Sequence, residues 1–212
     1  MSRLKIVTGH FGSGKTEFAI NLAMQQKGKT VILDMDIVNP YYRTADASLE
    51  LEKHGVEVIL PLFANTNVDI PTLPGEILSV FAHKDKTAVF DIGGDEDGAI
   101  ALGRFHRFFK EEPYEMYFVI NERRPLTDNK EAVIEMMHAV EGTSRLKITH
   151  LVNCTHLGSD TTPEIVLKGQ RLAEAVSLET GIPIAYTAVK KGINIAVNNP
   201  LMELQLYIKA PF

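Results

Sequence analysis

Gly9-His10-Phe11-Gly12-Ser13-Gly14-Lys15-Thr16 is the stretch on which the rest of this sequence turns. It fits G-x-x-x-x-G-K-[ST], the phosphate-cradling P-loop or Walker A pattern. Its glycines, Gly9, Gly12 and Gly14, let successive backbone N–H groups turn inward around an anion, with Ser13 between them. Lys15 is placed to reach terminal phosphates, and the Thr16 hydroxyl is a natural ligand for Mg²⁺. Upstream, Leu4 to Thr8 reads as a short buried strand. Downstream, Lys15 to Lys27 carries Phe18, Ala19, Leu22 and Ala23 at helical spacing, and Gly28 sits where a helix ends. The positive end of that helix points at the same phosphates.

Working outward, strands and helices alternate. Strands are expected at Thr30–Leu33, Val56–Leu60, Thr87–Phe90, Tyr114–Ile120, Lys147–Val152 and Ile182–Ala188. Helices are expected at Gly75–His83, Gly98–Lys110, from an Asp128/Glu131 capping box to about Val140, and from Thr162-Pro163 to about Glu179. Leu201 to Ile208 is ambiguous; it lacks the basic face of a membrane-binding helix, and packing on the core is the expectation. This alternation predicts a three-layer α/β P-loop NTPase fold, a mostly parallel sheet with helices on both faces. No linker or repeat divides the 212 residues, so residues 1–212 are read as a single nucleotide-binding domain.

The net charge of −5, with no basic cluster, argues against nucleic acid as a partner. No apolar run is long enough to span a membrane, and one cysteine, Cys154, fits a reducing compartment, so a cytoplasmic location is expected. Cys154 and His156 have no second pair at metal-ligand spacing, and a buried core thiol is the expectation. Arg104, Arg107 and Lys110, and the doublet Arg123-Arg124, read as solvated faces.

Two acidic strand ends complete the site. Asp91 follows the buried run Ala88-Val89-Phe90 and precedes Gly93-Gly94, the position of a carboxylate that holds magnesium. A glycine there lets a backbone N–H approach a phosphate closely. Asp34 and Asp36 alternate at the end of the preceding strand, so both can face the phosphates, to order metal-bound water or orient an attacking one.

Gly9 to Thr16, Asn21-Leu22-Ala23, Gly28 to Asp36, Asp91-Ile92-Gly93-Gly94 and Leu151-Val152-Asn153 together resemble the MinD/ParA/Mrp family of deviant-Walker ATPases. That family belongs to the class that includes nitrogenase iron protein and dethiobiotin synthetase. The resemblance implies ATP and Mg²⁺ as ligands, with Lys15 and Thr16 as phosphate lysine and metal ligand. It implies Asp36 as the carboxylate positioning the hydrolytic water, Asp34 in the metal shell, Asp91 as the Walker B acid and Gly94 as the amide near the γ-phosphate. Asn153 would read adenine, and Glu17, next to Thr16, is grouped with the nucleotide contacts. Family members commonly dimerise face to face, which implies a homodimer and an unidentified protein client. The family's loop has a lysine after its first glycine, where this sequence has His10. A neutral imidazole supplies no fixed positive charge to a transferring phosphoryl group.

Asn153-Cys154-Thr155-His156 has no acid in fourth place, unlike the N-K-x-D guanine readers, which favours ATP over GTP. The leading expectation is a hydrolase, a slow Mg²⁺-dependent ATPase acting as a nucleotide-dependent switch. A small-molecule ligase or kinase, with Tyr41, Tyr42 and Arg43 anchoring the substrate, and a non-hydrolysing ATP-binding scaffold are the alternatives.

Overall fold

Strand β1 (Leu4–Gly9), which feeds the P-loop, lies inside the sheet rather than at its edge, because strands from much later in the chain flank it on both sides. The computed structural model describes residues 2–36, 44–60, 75–94 and 96–208. Its other strands are β2 (Thr30–Met35), β3 (Val56–Ile59), β4 (Thr87–Ile92), β5 (Tyr114–Ile120), β6 (His150–Asn153), β7 (Ile184–Lys190) and β8 (Leu201–Leu204). They form one sheet in the order β3-β2-β4-β1-β5-β6-β7-β8, and every pairing among the described residues is parallel.

Helices α1 (Lys15–Met24), α2 (Ser48–Lys53), α3 (Gly75–Ala82), α4 (Glu96–Gly103), α5 (His106–Phe109), α6 (Lys130–Ser144) and α7 (Pro163–Thr180) cover the sheet. Strand side chains alternate between its faces. Leu4, Ile6, Leu33, Phe90 and Phe118 pack with Phe81, Leu102, Phe109, Met137 and Val176 from α3 to α7. Val7, Ile32, Val89 and Val119 pack on the other face with Phe18 and Leu22 of α1 and Leu51 of α2. Burial on both faces is why these strands read as continuous apolar runs. The α/β P-loop NTPase fold expected from the sequence is the fold observed.

The differences are local. Helix α2 carries no periodicity long enough to be predicted. The helix expected over Gly98–Lys110 is two pieces, α4 and α5, because the chain tightens there: Arg104 N bonds Ala101 O at 3.3 Å and Phe105 N bonds Leu102 O at 3.0 Å. Gly103 meanwhile packs where a Cβ would stand 3.0 Å from the Thr143 carbonyl oxygen of α6. The cap of α6 is Asn129, not Asp128; its side-chain oxygen accepts from Ala132 N at 2.9 Å. Thr162 and Pro163 start α7 as predicted.

The C-terminal segment packs on the core. Met202 and Leu204 of β8 are buried beside α1, and the residues that follow are strapped to that helix. Asn21 donates to Gln205 O at 2.9 Å and accepts from Gln205 N at 2.9 Å, copying a strand's hydrogen-bonding edge with a side chain. No helix among the described residues is long and apolar enough to cross a membrane.

Candidate functional site

The site forms at the carboxyl ends of β1, β2, β4, β5 and β6, the edge on which open parallel sheets place their ligands. Gly14 begins α1 in the left-handed region, φ 91°, and no side chain caps that helix. The first-turn N–H groups are therefore left for an anion. The loop is closed by Ser13 N donating to His10 O at 3.1 Å and by Phe18 N donating to Gly14 O at 3.0 Å. Lys15 is buried, with its Nζ 3.4 Å from the His10 carbonyl oxygen. Ser13 is fully buried, and its hydroxyl has no hydrogen-bond partner among the described residues.

Parallel register sets the acids. Asp91 pairs with Val7 of β1 on one side and with Asp34 of β2 on the other. It is buried, and Oδ2 accepts from the Thr44 hydroxyl at 3.4 Å. Oδ1 has no hydrogen-bond partner among the described residues. Burial, reinforced by the charge of Asp34, pushes the Asp91 carboxyl up to about 7, against the opposing pull of Lys15 and Thr16. Asp34 Oδ1 accepts the backbone N–H of Asp36, the residue after β2, at 3.0 Å, so the Asp34 side chain holds the backbone at the strand's end.

Thr16 and the orphaned oxygen of Asp91 suit a hard cation that takes oxygen ligands. No three His, Cys, Asp or Glu side chains gather into a metal cage among the described residues. Mg²⁺ at this point would complete its shell with phosphate and water oxygens.

Gly94 abuts the loop itself. A Cβ on it would lie 2.6 Å from Phe11 N and 2.7 Å from Gly9 O, so the segment after β4 packs directly against the P-loop backbone. The Glu17 carboxylate, expected beside the nucleotide, instead accepts from Tyr207 N at 2.9 Å and Ile208 N at 2.7 Å. Asn153, expected to read the base, is fully buried and already committed. Its amide donates to Val166 O at 3.2 Å and Gln170 Oε1 at 3.3 Å, and its oxygen accepts from Thr155 N at 3.1 Å. Through Gln170 and Thr187 it belongs to a polar network under β7, whose Thr187 hydroxyl donates to Gln170 Oε1 at 2.6 Å. Tyr41, Tyr42 and Arg43 lie outside the described residues.

Cys154 is a core thiol against the loop, 2.7 Å from where a Gly14 Cβ would stand, and burial pushes it up to about 12. His156 lines the same side; its Nδ1 accepts from Gly158 N at 3.3 Å, and burial with the nearby Arg124 charge lowers its pKa. His10 is lowered too, by burial and then by Lys15 and Arg124, so the second residue of the loop carries a neutral ring at physiological pH. The reading of Arg123-Arg124 as a solvated face holds only in part. Arg123 pairs with Glu122 at 3.2 Å, but Arg124 is half-buried with its Nε donating to Gly12 O at 2.9 Å. The sequence carried no signal for this contact, because it depends on β5 lying beside β1.

No protein-family model matches the chain, nor does any curated protein. Among solved structures, the chain is similar to the cell division protein FtsY of Thermotoga maritima, at 20% identity and a TM-score of 0.57, over 89% of this chain and 62% of that one. It is also similar to the signal recognition particle receptor FtsY of Elizabethkingia anophelis, at 18% identity and a TM-score of 0.56, over 89% of this chain and 59% of that one. The same receptor in complex with GDP gives 16% identity and a TM-score of 0.55, over 90% and 58%. The chain thus spans about three fifths of the length of these neighbours.

These neighbours support the fold, and they overturn the MinD/ParA/Mrp resemblance: they are FtsY proteins, a different P-loop family. The physical reason is that the loop, the Asp at the end of β4 and the glycines after it serve phosphate and magnesium in P-loop proteins generally. Glu17 and Asn153, expected beside the nucleotide, make internal hydrogen bonds.

Proposed function

We propose that this chain binds a purine nucleoside triphosphate with Mg²⁺ in the Gly9–Thr16 cradle and hydrolyses it slowly, acting as a nucleotide-dependent switch. One observation carries the reading: Lys15, Thr16 and Asp91 converge, all buried, under a loop whose Ser13 hydroxyl and Asp91 Oδ1 have no protein partner among the described residues. Buried polar atoms are normally hydrogen-bonded, so such orphans mark a place made for a ligand.

Thr16 and Asp91 would hold Mg²⁺, directly or through water, and bound Mg²⁺ polarises phosphoryl oxygens as a Lewis acid. Lys15 neutralises charge on the terminal phosphates, and the first-turn N–H groups of α1 cradle the phosphate behind them. Asp36, fixed through its own N–H to Asp34, is the carboxylate assigned to orient the attacking water. The backbone at Gly94 is poised to sense the terminal phosphate because it touches the loop.

Two observations bear on the base. The FtsY receptor of Elizabethkingia anophelis was solved with GDP, which supports guanine. Asn153-Cys154-Thr155-His156 offers no carboxylate at its fourth position to accept the guanine N–H groups, which supports adenine. Competition of ATP and GTP against a fluorescent nucleotide decides between them. In the same assay the Lys15→Ala variant should lose at least ten-fold in affinity. Wild-type protein that binds neither nucleotide at millimolar concentration would sink the proposal.

A further inference from the structure

We propose that Arg124 is a phosphate-binding residue of this site, a guanidinium delivered in cis from the loop between β5 and α6 to the lip of the P-loop. The inference rests on the nucleotide-binding reading above and adds a residue to it.

The first observation is contact. Arg124 Nε donates to Gly12 O at 2.9 Å, and a Cβ on Gly12 would stand 3.4 Å from the guanidinium carbon. The side chain lies along the middle of the loop, with one nitrogen spent on the backbone. Its two terminal nitrogens have no protein partner among the described residues. Guanidinium presents donors in a rigid fork that matches phosphate oxygens, and fixing Nε fixes the direction of that fork.

The second observation is charge. Neighbouring cations are neutralised: Arg123 pairs with Glu122 at 3.2 Å and Lys168 with the same carboxylate at 2.6 Å. No carboxylate pairs with Arg124 among the described residues, although the residue is half-buried. A half-buried cation without a counter-ion is costly, and a phosphate chain is the counter-ion that this cradle is shaped to receive. Its charge reaches both flanking imidazoles, His10 and His156, and helps keep them neutral. The fixed positive charge at the lip therefore comes from Arg124, with Lys15 supplying the charge within.

The third observation is that the turn holding Arg124 is rigid. Arg124 N donates to Asn121 O at 3.1 Å, Thr127 N to Arg124 O at 3.2 Å, and the buried Thr127 hydroxyl to Asn121 O at 2.8 Å. Leu126 takes a positive φ of 65° within this turn, a conformation that side chains other than glycine adopt at a cost. Such preorganisation suits a residue that must meet a ligand without rearranging.

The test compares wild type, Arg124→Ala and Arg124→Lys by titration with fluorescent ATP, ADP, GTP and GDP at several salt concentrations, alongside the melting temperature of the nucleotide-free proteins. The expected result for Arg124→Ala is a ten-fold or greater rise in Kd for the preferred nucleotide, together with a shallower dependence of Kd on salt, since a screened charge contact is gone. Arg124→Lys should recover part of the affinity and the salt slope. Wild-type affinity and slope in Arg124→Ala would overturn the assignment. So would weakened binding with an unchanged slope and a lowered melting temperature, which would leave Arg124 as a prop for Gly12 alone. Failure of the wild type to bind any of the four would overturn the underlying reading as well.

Discussion

Asp34 and Asp91 stand directly opposite each other on adjacent parallel strands, both buried, with the charge of Lys15 acting against their mutual repulsion. The Asp91 carboxyl, held up to about 7 by burial and by Asp34, stays partly protonated near neutrality in the nucleotide-free protein. The folded state thus binds a proton that the unfolded chain, with an ordinary carboxyl, has released. Stability contributed by this proton is present at low pH and is lost as pH rises towards 7, by up to ~1.4 kcal/mol per pH unit. Asp91→Asn should raise the melting temperature of the nucleotide-free protein, by more at pH 8 than at pH 5, while weakening Mg²⁺-dependent nucleotide binding. Comparing variant and wild type at each pH removes the opposite contribution of the depressed histidines. Thermal melts across that range check it, and a constant difference would refute it.

Gly94→Ala tests the contact between the segment after β4 and the P-loop. The added methyl would meet backbone at 2.6 and 2.7 Å, which neither partner can avoid by a rotamer change. The expected cost is about 1–3 kcal/mol of stability, as for overpacking, with at least a ten-fold loss of nucleotide affinity because the loop itself is displaced. Chemical denaturation and nucleotide titration measure the two effects.

Glu17→Gln separates two roles for this residue. If its work is to accept the N–H groups of Tyr207 and Ile208, the variant loses charge-assisted bonds worth about 1–3 kcal/mol. The C-terminal segment should then be cut faster by a non-specific protease, with Kd for nucleotide changed less than three-fold. A large loss of affinity with unchanged proteolysis would return Glu17 to the nucleotide contacts.

Cys154 should be inert. Its thiol is buried against Gly14 and held at about 12, so a disulfide reagent at pH 8 should label native protein far more slowly than protein in denaturant. Saturating nucleotide should slow the native reaction further, by restraining the loop that covers the thiol. Rapid native labelling, measured by absorbance, would contradict the packing.

Much of the architecture was legible because buried parallel strands announce themselves as apolar runs between helical periods. The P-loop, Asp34, Asp36 and Asp91 were legible as motif and strand ends. What was hidden depends on which strands lie side by side. Arg124 becomes part of the cradle only because β5 crosses to the free side of β1, and nothing in Arg123-Arg124 distinguishes the paired arginine from the one on the loop. Glu17 and Asn153 show the converse. Carboxylates and amides beside a ligand look the same in sequence as those that satisfy the backbone, and here the backbone of residues 207–208, the carbonyl of Val166 and the side chain of Gln170 claimed them.

Strand β1 finds its neighbours at Ala88 and at Tyr114, and neither has been made when the P-loop leaves the ribosome. The P-loop segment is therefore made well before the two strands that flank it. Contacts of this span are slow to form, and an unpaired apolar strand waiting for them is open to misassociation. Synonymous changes or chaperone depletion that alter the pace between β1 and β5 should change the yield of folded protein while leaving the finished molecule the same.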